Sequence, residues 1–265
     1  MTAALRPTRI LPPMSHTVRI ATIGTGVMAE AMLGGLFADG RIQPGQVVAA
    51  DPRADRRAEL EERLRIRTTA SNAEAVAGAD VVVLAIKPQN LREAGRDLAP
   101  ALRPEQLVIS ILAGTTMRAL EAALGHRAIV RAMPNTPAQV RRGITVWAAT
   151  PEVSAAQRET AALLLGALGD QIEVDDEKLV AMSTAVSGSG PAYLFLFMEA
   201  FIDAAVHLGF SRHVAHRLVV ETLEGSALFA KSSGSHPAQL RDMVTSPGGT
   251  TAAALRELEI GRAHV

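Results

Sequence analysis

From Val18 to Val174 the chain alternates short β-branched runs with helical stretches, and this alternation restricts the fold more than any other feature of the sequence. VRIATIG (18–24) precedes AEAMLGGLFADG (29–40), and QVVAAD (46–51) precedes RRAELEERL (56–64). Further apolar runs stand at DVVVLAI (80–86), LVISIL (107–112), AIVRA (128–132) and ITVWA (144–148). Strands that are apolar along their whole length are buried on both faces, and repeated strand and helix units build a parallel sheet covered on each side. SAAQRETAALLLGALG (154–169) predicts a helix that starts at a Ser cap and ends at Gly, with QIEV as a last short strand. The expected class is α/β, a doubly wound parallel sheet over 18–177.

After Val174 the β-branched runs stop, so a boundary is placed near Lys178 and 178–265 is expected to be all-α. The helix opening SGSGPAY is expected to be capped by Ser189, with Pro191 in its first turn, where a missing N–H has no intrahelical partner. Through Gly209 it is apolar on nearly every face, which a small domain cannot bury alone. A partner subunit is the expected cover. Lys plus Arg and Asp plus Glu both number 27, which argues against a nucleic-acid or anionic-membrane binder acting through bulk charge. There is no cysteine, which removes disulfides, thiolate metal sites and a thiol nucleophile, and makes the cytoplasm the default location. No run reaches the roughly 18 uninterrupted apolar residues of a membrane span. Residues 1–17 are expected to be a disordered extension or a misassigned start, with Met14 as the alternative initiator.

IGTGVMAEA sets Gly24, Gly26 and Ala29 as G-x-G-x-x-A between a strand and a helix. The first Gly permits the turn, the second lets a pyrophosphate approach the backbone, the small third residue allows close packing, and the helix N-terminus attracts the anion. This is the signature of a Rossmann-type dinucleotide domain. Asp51 closes the second strand where an acid would bind an adenosine ribose and favour NAD, while Arg53, Arg56 and Arg57 would hold a 2′-phosphate and favour NADP. Both readings stay open on sequence. AIKPQN puts Ala85, Lys87 and Pro88 at the carboxyl end of another strand, where open α/β sheets bind ligands. RAMPNTPA fixes a loop around Asn135 with two prolines. TSPGGTTAAALRELE feeds Thr250 and Thr251 into a helix start, where amides and hydroxyls converge into an anion nest. Glu199, Asp203 and His207 share a helix stripe and His213 pairs with His216, but neither set is read as a metal site.

IGTGVMAEAMLGGL, RAMPNTPA, STAVSGSGPAYLFLFMEAF and HPAQLRDMVTSPGGTTAAALRELE together resemble the pyrroline-5-carboxylate reductase family, in order and spacing from about Val18 to Glu259. The resemblance implies a Rossmann domain and a helical dimerisation domain, in dimers or rings of dimers. It implies reduction of the imine of 1-pyrroline-5-carboxylate to L-proline, with NADP(H) preferred and NAD(H) as the other cofactor. By that resemblance Gly24, Thr25, Gly26, Val27 and Met28 form the cofactor loop. Asp51, Asn72, Ala85, Lys87 and Pro88 line the cofactor, and Ala113 and Asn135 lie near the ribose and nicotinamide. The substrate carboxylate would rest on Ser246, Gly248, Gly249, Thr250 and Thr251, with Val244 against the ring. Thr251, with Ser246, would act on the imine nitrogen. Val27 stands where many relatives have Asn.

Two other readings compete. A β-hydroxyacid dehydrogenase would need a catalytic lysine on the helical domain, and Lys178 and Lys231 lie in no suitable motif. A non-catalytic nucleotide-binding regulator would not need the SPGGTT loop. The family continues past Glu259 through another turn and helix, whereas this chain ends IGRAHV, which matches one frame of a common sequencing adapter. A truncated helical domain with non-native residues after 259 and a weakened dimer is therefore expected.

Overall fold

The computed structural model describes residues 18–259, so the expectations for 1–17 and for IGRAHV concern segments outside the described residues. The chain divides by its contacts into two compact units, which meet in sequence at Ala192 and Tyr193. In the first, β1 (Ile20–Ile23), α1 (Val27–Ala38), β2 (Val47–Ala50), α2 (Ala54–Leu64), β3 (Arg67–Thr69), α3 (Asn72–Val76) and β4 (Val81–Leu84) follow one another. They continue as α4 (Leu91–Leu98), β5 (Leu107–Ser110), α5 (Met117–Leu124), β6 (Ile129–Met133), β7 (Gly143–Ala149), α6 (Ala155–Gly166), β8 (Gly169–Glu173) and α7 (Glu177–Ser183).

Among the described residues the strands form one eight-stranded sheet, in the order β3-β2-β1-β4-β5-β6-β7-β8. Strand order reverses between β1 and β4, which opens a crevice at their carboxyl ends. Alternation along the strands divides the core between the two faces. Ile20, Val47, Val81, Val83, Leu107 and Ile109 pack with Met32, Leu33 and Leu36 of α1 and Leu164 of α6. Ala21, Ile23, Val82, Leu84, Val108 and Ile129 pack with Val76, Leu91, Leu98, Leu120 and Leu124. The Ser154 cap of α6 is present, reinforced by Gln157 in a reciprocal capping box.

Two local expectations are corrected. The sheet is parallel except at β6 and β7, which pair antiparallel because the stretch between them, 134–142, is too short for a crossover. Ser189 caps no helix start. It has helical dihedrals, and its N–H donates to the Thr184 carbonyl at 2.7 Å, five residues back, so the chain runs from α7 through a π-helical turn (Thr184–Gly188) into α8 (Gly190–His207). The wider turn lets the helical run reach Pro191 without demanding its missing donor.

α7 packs with β6 and β7, and the division by contacts falls between Ala192 and Tyr193. The second unit holds the rest of α8, then α9 (Arg212–Ser233), α10 (Pro237–Met243) and α11 (Thr250–Glu259). The continuous helical run Glu177–His207 is long and apolar enough, by length and composition, to cross a membrane, which counting uninterrupted apolar residues did not flag. Tyr193, Leu194, Phe195, Leu196 and Phe197 on it are exposed in the single chain.

Candidate functional site

Gly24 ends β1 with φ +87° and donates its N–H to the Ala50 carbonyl at 2.9 Å. A Cβ there would stand 2.8 Å from the Ala85 carbonyl oxygen, so the turn between β1 and α1 closes only over glycine. Gly26 is the N-cap of α1 and no side chain caps the helix. Gly26 and Val27 are exposed, and a Cβ on Gly26 would meet nothing nearer than 3.9 Å. The first-turn amides of α1 thus open onto free space at the strand-order reversal, an arrangement suited to an anion.

The end of β2 is wired to that loop. The Thr25 hydroxyl donates to Asp51 Oδ2 at 2.5 Å, while Asp51 Oδ1 accepts from the Arg53 backbone N–H at 3.0 Å and from Arg53 Nε at 3.2 Å. Burial pushes the Asp51 carboxyl up, but the bonds from Thr25 and Arg53 outweigh it and hold the group below its ordinary value. Arg56 donates to the Thr25 carbonyl from Nε at 3.1 Å and from Nη2 at 2.8 Å, and pairs with Glu30 at 2.6 Å and Glu59 at 2.7 Å. Arg63 bridges the same two glutamates. Burial alone would lower the Arg56 pKa, yet the two carboxylates raise it, so the guanidinium stays charged. Arg57 Nη1 donates to the Asp51 and Pro52 carbonyls. Sequence reading grouped these arginines as one candidate set and missed the bracket around Arg56, whose legible signal was Glu59 three residues along the helix.

Ala85 follows β4, with its N–H on the Ile23 carbonyl at 2.8 Å, and Lys87 and Pro88 stand exposed beyond it at the start of a short 3₁₀ turn. Ala113 is exposed after β5. Asn72 opens α3, with Nδ2 at 3.4 Å from Asp97. Asn135 is buried with both ends of its amide engaged: Oδ1 accepts from the Ile144 N–H at 2.9 Å and Nδ2 donates to the Ser187 carbonyl in the π turn at 3.1 Å. Nearby, Arg131 is almost fully buried and donates to Glu177 at 2.6 Å, an oxygen that also accepts the Met117 N–H. No sequence signal announced that pair.

In the second unit, α10 is followed by a tight loop. Thr245 Oγ1 donates to the Arg241 carbonyl at 2.7 Å, Gly248 takes φ +70°, and the Gly249 N–H donates to the Ser246 carbonyl at 3.0 Å. Thr250 begins α11, and Thr251 is half-buried behind it. Among the described residues the hydroxyls of Ser246, Thr250 and Thr251 have no hydrogen-bond partner, so none is spent on capping the helix. Val244 is exposed beside the loop.

Residues 177–264 match the family model described as pyrroline-5-carboxylate reductase dimerisation, and 19–114 match the one described as NADP oxidoreductase, coenzyme F420-dependent. The chain is 51% identical over 244 residues to the pyrroline-5-carboxylate reductase of Pseudomonas aeruginosa, covering 92% of this chain and 89% of that one. The chain belongs to the pyrroline-5-carboxylate reductase family. The family's solved structures include the Coxiella burnetii reductase, similar at a TM-score of 0.86 and 38% identity over 94% of this chain and 92% of that one. The Plasmodium falciparum reductase, solved with NADP bound, is similar at 0.83 and 30% identity over 92% and 90%. The helical part of this family member thus matches a self-association domain, and the exposed apolar side chains of α8 lie within the matched residues.

Proposed function

We propose that this chain reduces the C=N bond of 1-pyrroline-5-carboxylate, giving L-proline, with NADPH as hydride donor. The observation that carries the reading is the presence, in one family member, of an uncapped glycine edge at the sheet reversal and a second-unit loop whose hydroxyls have no partner of their own. The edge fits a dinucleotide: the space a Cβ on Gly26 would fill is open, and the uncapped amides of α1 supply donors for a pyrophosphate. Gly24, Thr25, Gly26, Val27 and Met28 would hold the phosphates. Asp51, Asn72, Ala85, Lys87 and Pro88 would line the adenosine side, with Ala113 and Asn135 toward the nicotinamide. Because the Asn135 side chain is already bonded, its part is to fix the loop and present backbone.

When bound, the reduced nicotinamide supplies a hydride. The chain's own residues anchor the substrate carboxylate on Ser246, Gly248, Gly249 and Thr250 and rest Val244 against the ring. The substrate enters as the protonated iminium, so the arriving hydride forms the C–H bond while the C=N pair moves onto nitrogen. No carboxylic acid is needed. The Thr251 hydroxyl hydrogen-bonds that nitrogen as its lone pair forms, with Ser246 beside it, and the reaction draws mainly on holding the two reactants together without water.

The reading extends to a dinucleotide domain over 18–177 and a helical substrate and dimerisation domain over 178–265, to rings built from dimers, and to a cytoplasmic location. Its test is consumption of NADPH and of NADH with 1-pyrroline-5-carboxylate, with proline identified by chromatography. Turnover with at least one cofactor is expected, and no proline from either overturns the proposal. Light scattering on the same preparation reads the assembly.

A further inference from the structure

We propose that Arg53 is the residue by which this chain selects a 2′-phosphorylated dinucleotide, and that Asp51 serves as its orienting carboxylate instead of accepting a ribose hydroxyl. The inference rests on the dinucleotide reading above and names the residue that decides between its two cofactors.

The three arginines after β2 are not equivalent. Arg56 has a side chain only 12% exposed, and its fork is spent on the Thr25 carbonyl and two glutamates. Arg57 is tied by Nη1 to two backbone carbonyls. Arg53 is 60% exposed and bonds Asp51 only through Nε, which leaves Nη1 and Nη2 unbonded among the described residues. A guanidinium held by Nε presents its two outer nitrogens as a fork, the geometry that matches phosphate oxygens in pairs. Arg53 is also the N-cap of α2, no side chain caps that helix, and Asp55 is the one acid in its first turn.

Asp51 points to the same division of labour. Of roughly four lone-pair sites on a carboxylate, three bonds from Thr25 and Arg53 are already placed on it, and the side chain is 6% exposed. An acid at the end of the second strand ordinarily receives a ribose hydroxyl and repels a 2′-phosphate. Here its charge is met by Arg53 and its acceptors are turned inward to Thr25.

The test is calorimetric titration of the full chain with NADP⁺ and NAD⁺, and with adenosine 2′,5′-bisphosphate against AMP as probes without a nicotinamide. The unaltered protein is expected to prefer the 2′-phosphorylated member of each pair. Arg53→Ala should weaken that member about ten- to a hundredfold, the span of one or two charge-assisted hydrogen bonds, while NAD⁺ and AMP affinities hold. Arg53→Lys should recover only part, since an ammonium lacks the fork. Asp51→Asn should shrink the preference in the same direction by a smaller factor. Equal loss for both members of a pair, or no loss, in Arg53→Ala overturns the proposal, as does an Asp51→Asn variant that loses NAD⁺ and keeps NADP⁺. Failure of the unaltered protein to bind any of the four ligands overturns the dinucleotide reading itself and this inference with it.

Discussion

At the glycine edge of the first unit, the Thr25 carbonyl, both oxygens of Asp51 and both glutamates around Arg56 are held by side chains of the same chain. At the loop of the second unit, by contrast, Ser246, Thr250 and Thr251 hold nothing among the described residues. Burial differs in the same sense. The sheet and its helices enclose two apolar clusters, whereas the described residues of the second unit bury only Ala205, Ala215 and Val219. One region is therefore pre-organised within a single chain and carries its own core. The other displays Tyr193, Leu194, Phe195, Leu196, Phe197 and Phe201 to solvent unless another surface covers them, as expected of a dimerisation domain. The first unit carries its own core; the second leaves most of its apolar surface uncovered in the single chain.

The largest effect should come from breaking that assembly. Phe197 packs against Phe201, ring centroids 5.8 Å apart, on the apolar face of α8. Phe197→Glu would set an unpaired carboxylate in the covered face, at a cost of about 3 to 5 kcal/mol. The dimer should dissociate in light scattering while dinucleotide titration of the first unit survives. An active dimer of unchanged size, or loss of both properties together, would break the contrast between the regions.

Next come changes at the wired edge, where the damage should stay in the first unit. Arg56→Ala removes the clamp on the Thr25 carbonyl and leaves Glu30 and Glu59 to Arg63 alone, costing roughly 2 to 3 kcal/mol of stability in denaturant unfolding, with weaker dinucleotide binding. Gly24→Ala forces a Cβ against the Ala85 carbonyl at positive φ and should cost about 2 kcal/mol. Gly26→Val is the control that sharpens the comparison: its Cβ has open space, so stability should hold while dinucleotide affinity falls. Equal unfolding curves for the two glycine variants would show that the loop is not clamped as described.

The same contrast explains what was legible in the sequence. Strands buried on both faces read as unbroken apolar runs, and G-x-G-x-x-A joins a strand to a helix within a few residues, so the α/β class and the glycine turn after β1 were local signals. β3 was missed because Arg67–Thr69 is a short edge strand with no apolar run. The antiparallel β7 looked like its parallel neighbours because burial, not direction, sets composition. Ser189 misled because Ser before Gly-Pro has the pattern of a cap, and a π turn is set by hydrogen bonds that no residue pattern announces. The Arg56–Glu30 and Arg131–Glu177 pairs join residues 26 and 46 positions apart, beyond any local window. The turn in SPGGTT was legible because its Pro-Gly-Gly and the helix start that follows are contiguous in sequence.

Thr251 offers the smallest and most discriminating change. Its hydroxyl has no partner in the described chain, so Thr251→Ala removes no existing bond and should leave thermal unfolding where it was. In the proposed chemistry the hydroxyl meets a nitrogen that gains electron density as hydride arrives, an interaction stronger in the transition state than in the ground state. Its loss should lower kcat about tenfold, equivalent to about 1.4 kcal/mol, with little change in the KM for the dinucleotide. Thr251→Ser keeps the hydroxyl and should recover most of the rate. Thr250→Ala tests the assignment from the other side, because Thr250 opens α11 and is exposed, and its proposed part is holding the carboxylate. It should raise the KM for the imine substrate more than it lowers kcat. If Thr250→Ala takes the kcat loss and Thr251→Ala is silent, the nitrogen contact belongs one residue earlier. If both are silent, the loop does no more than start a helix, and the contrast between a wired edge and a loop with open hydroxyls loses its chemical meaning.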